Sequence, residues 1–193
     1  MRVSDVKRRT KETDIEIQLS LDGSGKGSID TGIPFFDHML EAFSRHGRFD
    51  LKIKATGDLH TGCHHTIEDI GIVMGQAFSK ALGEGRGIGR FASIIVPMDE
   101  SRSEMVIDVG GRPYLVFEGD FSGPIEGVIE PWLIRHFFES FVQNAKITVH
   151  AKISGFSDHH KCEALFKSLG LALHMATWII YDDGEIPSTK GVL

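Results

Sequence analysis

The chain has 193 residues, a formal net charge of −6 with histidine neutral, and a composition that is 41% hydrophobic and 25% charged. These values are typical of a folded globular protein and exclude a disordered chain, and they disfavour nucleic acid or an anionic membrane as a partner. With only Cys63 and Cys162, no apolar stretch of membrane-spanning length and no signal-peptide segment, we expect a protein of the reducing cytoplasm.

The first half of the chain predicts two strands, a helix, a third strand and a second helix. Residues 14–21 alternate between apolar and polar side chains, which predicts a half-buried strand, and residues 2–9 are expected to pair with it. Pro34 takes the first-turn position of the next helix. A strand over 51–55 and a helix over 68–81 complete this half.

The second half repeats this plan after a glycine-rich stretch, 83–89, that predicts a hinge or linker. The predicted elements are strands at 91–97, 103–109 and 114–121, a helix near 131–145, a strand at 146–153 and a helix over 163–178. A shift of 98 residues places Phe43 on Phe141 and His38 on His136, which indicates a duplication.

We therefore expect an α+β fold of duplicated β-β-α-β-α half-domains, each a mostly four-stranded sheet with two helices on one face. The first half-repeat is expected at 1–88. The second is expected at 89–193 and includes a C-terminal tail. Together the two half-repeats are predicted to form one compact catalytic unit.

One pentapeptide occurs in both halves, as His64-His65-Thr66-Ile67-Glu68 and as His159-His160-Lys161-Cys162-Glu163. On a helix the glutamate shares a face with each histidine, whereas adjacent histidines point about 100° apart. One pentapeptide could therefore serve two metal ions, and borderline divalent ions favour imidazole and carboxylate ligands. A solvent-exposed helix start is the alternative for a single copy. The repeated spacing favours metal ligands.

The repeat adds a third histidine to each half. The two matched ligand sets are His38, His64, His65 and Glu68, and then His136, His159, His160 and Glu163. A structural zinc site would close with four ligands and include cysteine, so the sets indicate two ions with positions open to substrate. Asp69 could orient a ligand histidine or be a first-turn helix acid. His46, on the helix of His38, is the remaining histidine of most interest.

From Arg8 to the C-terminus the chain closely resembles the imidazoleglycerol-phosphate dehydratases of histidine biosynthesis. The matching segments are Arg9-Thr10-Lys11-Glu12-Thr13, Phe35-Phe36-Asp37-His38-Met39, both pentapeptides, Val96-Pro97-Met98-Asp99-Glu100, Gly111-Arg112-Pro113-Tyr114, His136-Phe137-Phe138 and Pro187-Ser188-Thr189-Lys190-Gly191. The chain departs from the family at Ser157, where asparagine is usual, and at Gly110, where serine is common.

The resemblance implies a ribosomal protein S5 domain 2-like fold and a lyase with two Mn²⁺ per active site, other divalent ions being possible. The metals would bind the substrate's imidazole ring as a template and as Lewis acids. The resemblance assigns Glu12 as the base that takes the carbon proton, with Glu68 or Glu163 as alternatives that double as metal ligands. Its substrate and phosphate contacts are Glu12, His46, Arg90, Arg112, Lys167, Ser188 and Lys190.

The resemblance also implies a hollow homo-oligomeric shell of about 24 subunits built from metal-linked trimers. Two motifs on pseudo-equivalent helices need not meet within one chain, so we predict metal sites shared between subunits. Two other classes of protein compete with this interpretation. A di-metal hydrolase would be expected to use bridging aspartates. A metal-storage or metal-assembled structural protein would leave Glu12 and the basic C-terminal segment unexplained.

Overall fold

Each half of the chain folds into a four-stranded sheet with two helices in the computed structural model, which describes residues 1–181 and 184–193. The first half contains β1 (Val3–Arg9), β2 (Thr13–Ser20), β3 (Gly27–Asp30), α1 (Pro34–Gly47), β4 (Asp50–Gly57) and α2 (His64–Leu82). The second half contains β5 (Phe91–Met98), β6 (Ser101–Asp108), β7 (Tyr114–Glu118), α3 (Pro131–Ala145), β8 (Thr148–Ser154) and α4 (Asp158–Thr177).

The two sheets have the same topology, which confirms the predicted duplication and the α+β class. Their strand orders are β1-β2-β4-β3 and β5-β6-β8-β7, and in each sheet only the last strand runs parallel to its neighbour. Sequence alternation predicted β2, where Ile15, Ile17 and Leu19 are buried. It did not predict β3, which has only four residues. Among the described residues, no helix combines the length and apolarity needed to cross a membrane.

The helices pair between the two halves, α2 with α3 and α1 with α4. Phe137 of α3 lies at the centre of this packing, with its ring 5.3 Å from that of Phe36 and 5.4 Å from that of Phe166. The buried side chains form one continuous hydrophobic cluster that includes residues of both halves. This shared core fixes the positions of the helix ends, and the candidate ligands lie at those ends.

Glycines allow the paired helices to approach closely. A Cβ atom on Gly75 would lie 2.5 Å from the carbonyl oxygen of Phe141, and one on Gly170 would lie 2.4 Å from the carbonyl oxygen of Phe43. Such distances are shorter than van der Waals contact, and the obstructing atoms belong to backbone that cannot rotate away. Glycine is therefore required by helix packing at one or more positions in each interhelical contact.

We expect Gly75→Ala and Gly170→Ala each to lower the free energy of unfolding by about 1–3 kcal/mol, because the added methyl group separates two helices. Alanine is the better helix former by about 1 kcal/mol, so a loss of stability would report the interhelical contact. Urea unfolding of metal-free protein, followed by circular dichroism, measures the effect. Gly123→Ala is the control, since its Cβ would meet nothing within 4 Å. Helix variants as stable as the original chain would contradict this account.

Candidate metal centres

Two groups of side chains, each with two histidines and one glutamate, converge in the described part of the chain. The α2–α3 group consists of His64, Glu68 and His136, and the α1–α4 group consists of His38, His159 and Glu163. Within each group, one ligand atom of every residue lies within 4.8 Å of the others. In each group, one histidine and the glutamate come from the pentapeptide of one half of the chain, and the other histidine comes from the other half.

Helical spacing brings the pentapeptide residues together, and the interhelical pairing adds the third histidine. In the α2–α3 group, His64 Nε2 lies 3.4 Å from Glu68 Oε2, and His136 Nε2 lies 3.4 Å from Glu68 Oε1. In the α1–α4 group, Glu163 Oε2 lies 3.3 Å from His159 Nε2 and 3.4 Å from His38 Nε2. The sequence located a third histidine in each half, but it did not indicate that this histidine joins the motif of the other half.

All four histidines of these groups present Nε2 to the centre of the group, and two have Nδ1 close to a further carboxylate. His159 Nδ1 lies 2.7 Å from Glu126 Oε1, and His136 Nδ1 lies 3.4 Å from Glu139 Oε2. A carboxylate at Nδ1 fixes the ring and leaves Nε2 available as a ligand. Neither glutamate was among the candidate residues predicted from the sequence. Glu139, three residues after His136 on one helix, could have been found from helical spacing. Glu126 lies in a loop and gave no such signal.

The side chains present fit a divalent metal ion. His136 Nε2 is buried and has no hydrogen-bond partner within the described ranges, although Glu68 lies nearby. A buried polar atom left unpaired is costly, and an ion at the centre of the group would satisfy it. Two imidazoles and one carboxylate form a donor set suited to borderline divalent ions. Cysteine does not join either group, and burial raises the pKa of the Cys162 thiol, which disfavours its ligand form.

Charged neighbours set the electrostatics of the α1–α4 group. Burial acts to raise the pKa of Glu163, but Lys167 and His38 outweigh it, so the pKa lies below its ordinary value. Lys167 Nζ lies 2.7 Å from Glu163 Oε1. Burial, and after it the charge of Lys167, lower the pKa of His46, while the charge of Glu163 acts to raise it. Lys167 and His46 therefore accompany the α1–α4 group.

The second histidine of each pentapeptide stays outside both groups. His65 Nδ1 lies 3.0 Å from Asp58 Oδ2, and His160 Nδ1 lies 2.7 Å from Glu100 Oε2. These hydrogen bonds are the main reason that the pKa of each histidine is raised. The side chains of His65 and His160 remain 36% and 30% exposed, respectively. The structure thus separates the two histidines of a pentapeptide, as helical geometry predicts.

Glu12 lies in the β1–β2 turn, and its side chain is close to His65 of α2. Its Oε1 is 4.0 Å from His65 Nε2, and its side chain is 54% exposed. The Thr10 hydroxyl accepts hydrogen bonds from the backbone N–H groups of Glu12 and Thr13, which fixes the turn. Buried Asp69 accepts a hydrogen bond from the Thr13 hydroxyl and forms an ion pair with Arg8. Asp69 therefore fastens the turn that carries Glu12. Within the described part of the chain, its hydrogen bond and ion pair are with residues on either side of this turn and not with a ligand histidine.

Most of the expected phosphate contacts gather at the start of β5. The Arg90 guanidinium donates to Asp108 Oδ1 at 2.7 Å and to the carbonyl oxygen of Pro187 at 2.8 Å. Arg112 lies 3.8 Å from the same aspartate. A Cβ atom at Gly110 would lie 2.7 Å from Asp108 Oδ1 and 2.9 Å from Arg90 Nη2, so a larger residue there would have to displace these side-chain ends.

The C-terminal segment places Ser188 in the same cavity as Arg90, whereas Lys167 lies elsewhere. Ser188 follows the proline bound by Arg90, and its Oγ accepts from the backbone N–H of Lys190 at 3.3 Å. Lys167 Nζ is 3.8 Å from Met98 Sδ, at the opposite end of β5. An eight-residue strand spans roughly 20–25 Å. One chain therefore does not bring all the expected phosphate contacts together.

Comparison with known proteins gives a match to the family model for imidazoleglycerol-phosphate dehydratase over residues 31–173. The chain is 74% identical to the imidazoleglycerol-phosphate dehydratase of Methanospirillum hungatei over 193 residues, with 100% of both chains covered. It is 57% identical to that of Methanoculleus marisnigri, again over 100% of both chains.

Two solved structures of imidazoleglycerol-phosphate dehydratases share the fold. The Pyrococcus furiosus structure superposes with a TM-score of 0.83 at 38% identity and covers 97% of this chain and 100% of its own. The Staphylococcus aureus structure superposes with a TM-score of 0.81 at 35% identity and covers 90% of this chain and 97% of its own. The likeness therefore extends across both sheets and both ligand groups.

Proposed function

Since the chain belongs to the imidazoleglycerol-phosphate dehydratase family, we propose that its α2–α3 and α1–α4 groups hold two divalent metal ions, Mn²⁺ foremost. The enzyme is a lyase of L-histidine biosynthesis. It dehydrates D-erythro-1-(imidazol-4-yl)glycerol 3-phosphate to 3-(imidazol-4-yl)-2-oxopropyl phosphate. Other divalent ions with the same ligand preference can substitute for Mn²⁺.

The observation that carries this proposal is the pair of matching ligand groups, each built from both halves of the chain. The buried Nε2 of His136, which has no hydrogen-bond partner among the described residues, supports an ion in the α2–α3 group. When bound, the ions act as a template and as Lewis acids for the imidazole ring of the substrate. Because each group needs both halves, we also propose that the half-repeats 1–88 and 89–193 act as one catalytic unit.

We assign Glu12 as the general base that removes the carbon proton. Its carboxylate is exposed and lies next to His65, so it can reach a substrate held near that ring. The alternative bases, Glu68 and Glu163, are each within 3.5 Å of two histidines in the ligand groups. A carboxylate that binds metal has less freedom to accept a proton, which favours Glu12.

The phosphate contacts support an active site formed between subunits. We propose that Arg90, Arg112, Ser188 and Lys190 bind the phosphate from one subunit, while Lys167 and His46 belong to the metal end of another. Guanidinium and ammonium groups are suited to a phosphate dianion. His65 and His160, which stay outside the groups of their own chain, are then available as ligands to the ions of a neighbour.

The resulting assembly is proposed to be a homo-oligomeric shell of about 24 subunits that forms when metal links trimers. A cytoplasmic location belongs to the same proposal, since both cysteines are free thiols and the enzyme is biosynthetic. The partners of the chain are then its small phosphorylated imidazole substrate and further copies of itself.

Metal stoichiometry tests the ligand groups. Mn²⁺ added to chelator-treated protein is expected to bind at two ions per chain, measured by calorimetry and elemental analysis, and to restore conversion of imidazoleglycerol phosphate to the acetol product. His136→Ala and His38→Ala are each expected to reduce the count to one, because each removes a ligand from one group. His150→Ala, an exposed histidine on β8 outside both groups, is the control. Two ions bound by His136→Ala with unchanged affinity would contradict the proposed α2–α3 site.

A further inference from the structure

Glu100 is held by three hydrogen bonds at the start of α4. Its Oε1 accepts from the backbone N–H of Ser157 at 2.7 Å and from the Ser101 hydroxyl at 2.8 Å. Its Oε2 lies 2.7 Å from His160 Nδ1. Ser157 is the N-cap of α4, and its hydroxyl accepts from the backbone N–H of His160. The β5–β6 turn therefore fixes both the helix start and the ring of His160.

This contact determines which nitrogen of His160 carries the proton. An ionised carboxylate only accepts hydrogen bonds, so Nδ1 must be the protonated nitrogen when it donates to Glu100. The lone pair of the neutral ring then lies on Nε2. The α1–α4 group already has the Nε2 atom of His159, and His160 is not among its members. His160 thus presents a ligand atom that its own chain does not use.

The first half reaches the same arrangement with a different element. His65 Nδ1 is bound by Asp58, which lies in the connection between β4 and α2, whereas Glu100 lies in the β5–β6 turn. The two carboxylates are therefore not equivalent positions of the repeat. The shared result is a second histidine whose Nδ1 is occupied, while the nearest carboxylate oxygen to its Nε2 lies beyond hydrogen-bond distance, 4.0 Å away for His65 (Glu12) and 3.9 Å for His160 (Asp99).

We propose that Glu100 and Asp58 are positioning residues that fix Nε2 of His160 and His65 as ligands for metal ions held by a neighbouring subunit, before the subunits assemble. The inference rests on the proposed metal-linked assembly and adds two residues that act through histidines. A ring fixed in advance loses little freedom when it binds, so the carboxylates raise metal affinity.

Glu100→Gln is the most direct test, because it moves the proton of the His160 ring from Nδ1 to Nε2. The side-chain amide oxygen can still accept from Ser157 and Ser101, while the amide NH₂ group replaces Oε2 and donates to His160 Nδ1. The ring must then carry its proton on Nε2, which removes the ligand lone pair. Asp58→Asn is a less specific test, because both Asp58 oxygens lie within 3.2 Å of His65 Nδ1. The amide of the asparagine could therefore rotate and present its oxygen to the same nitrogen.

We expect Glu100→Gln to weaken Mn²⁺ binding by about 10–100-fold and to raise the metal concentration needed for assembly by a similar factor. Metal-free protein is expected to keep its helix content. The ¹⁵N chemical shifts of the His160 ring are expected to change from the Nδ1–H form to the Nε2–H form. Glu100→Ala leaves Nδ1 without this partner, so it should impair metal binding less than Glu100→Gln does.

The order of the two effects on metal binding separates positioning of the ring from a merely structural role. If the role were only structural, Glu100→Ala would be the more damaging change, because it removes all three hydrogen bonds. Glu84→Gln, an exposed carboxylate paired with Arg86, is the matched control. If the original chain binds Mn²⁺ but Glu100→Gln assembles at the same metal concentration, the positioning role is overturned alone. An original chain that binds no Mn²⁺ would overturn the proposed metal sites as well.

Discussion

Glu12→Gln is expected to lower turnover by about 10²–10⁴-fold, the usual contribution of a general base, while metal content and particle mass stay unchanged. The amide has nearly the same shape as the carboxylate but cannot take a proton from carbon. The turn is held by Thr10, Thr13 and Asp69 and not by the Glu12 side chain, so the local fold should persist. Steady-state kinetics with imidazoleglycerol phosphate, together with elemental analysis, measure both outcomes.

Matched variants identify which carboxylate is the base. Glu16→Gln, a partly exposed strand residue paired with Lys7, is expected to retain activity. Glu68→Gln and Glu163→Gln remove carboxylates of the ligand groups, so they should lose bound metal along with activity. Normal turnover by Glu12→Gln would remove Glu12 as the base and leave the role to one of these two residues.

Removal of metal is expected to reduce the particle from a shell to a much smaller species, and added Mn²⁺ should restore it. The physical reason is that His65 and His160 remain outside the groups of their own chain, so an ion that binds them joins two subunits. Light scattering coupled to size-exclusion chromatography, with and without chelator, measures the mass.

Histidine variants test whether the metal acts through these particular rings. His160→Ala is expected to stay small even with excess Mn²⁺, although its own α1–α4 group is intact. His150→Ala, on the exposed face of β8, should assemble as the original chain does. The same particle mass with and without chelator would exclude metal-linked assembly.

Local patterns in the sequence were sufficient for most elements and for the two pentapeptide members of each ligand group. The helix that begins at Pro34 ends at Gly47, and α3 lies at 131–145 as predicted, because apolar spacing and a first-turn proline are local signals. Both pentapeptides open helices, α2 and α4. Their glutamates consequently share a face with the first histidine.

Contacts between distant segments had no such signal. Glu126 and Asp58 lie in loops, and nothing about their spacing indicates that they face histidines 33 and 7 residues away. Strand β3 has four residues, too few for a clear alternation of apolar and polar side chains. It joins its sheet by pairing in parallel with β4, which is distant in sequence. The partners of Asp69 depended on how the β1–β2 turn folds over α2.

The sequence by itself determined the duplicated α+β fold and the chemical type of the ligands, because repeat spacing and helical periodicity are properties of the chain, and its matching motifs identified the family. Only the tertiary structure decided that His38 joins His159 and Glu163, and that His136 joins His64 and Glu68. The reason is that each third histidine is placed by interhelical packing, in which helices of opposite halves approach at Gly75 and Gly170. Such packing depends on side-chain shape across the core, which no local spacing records.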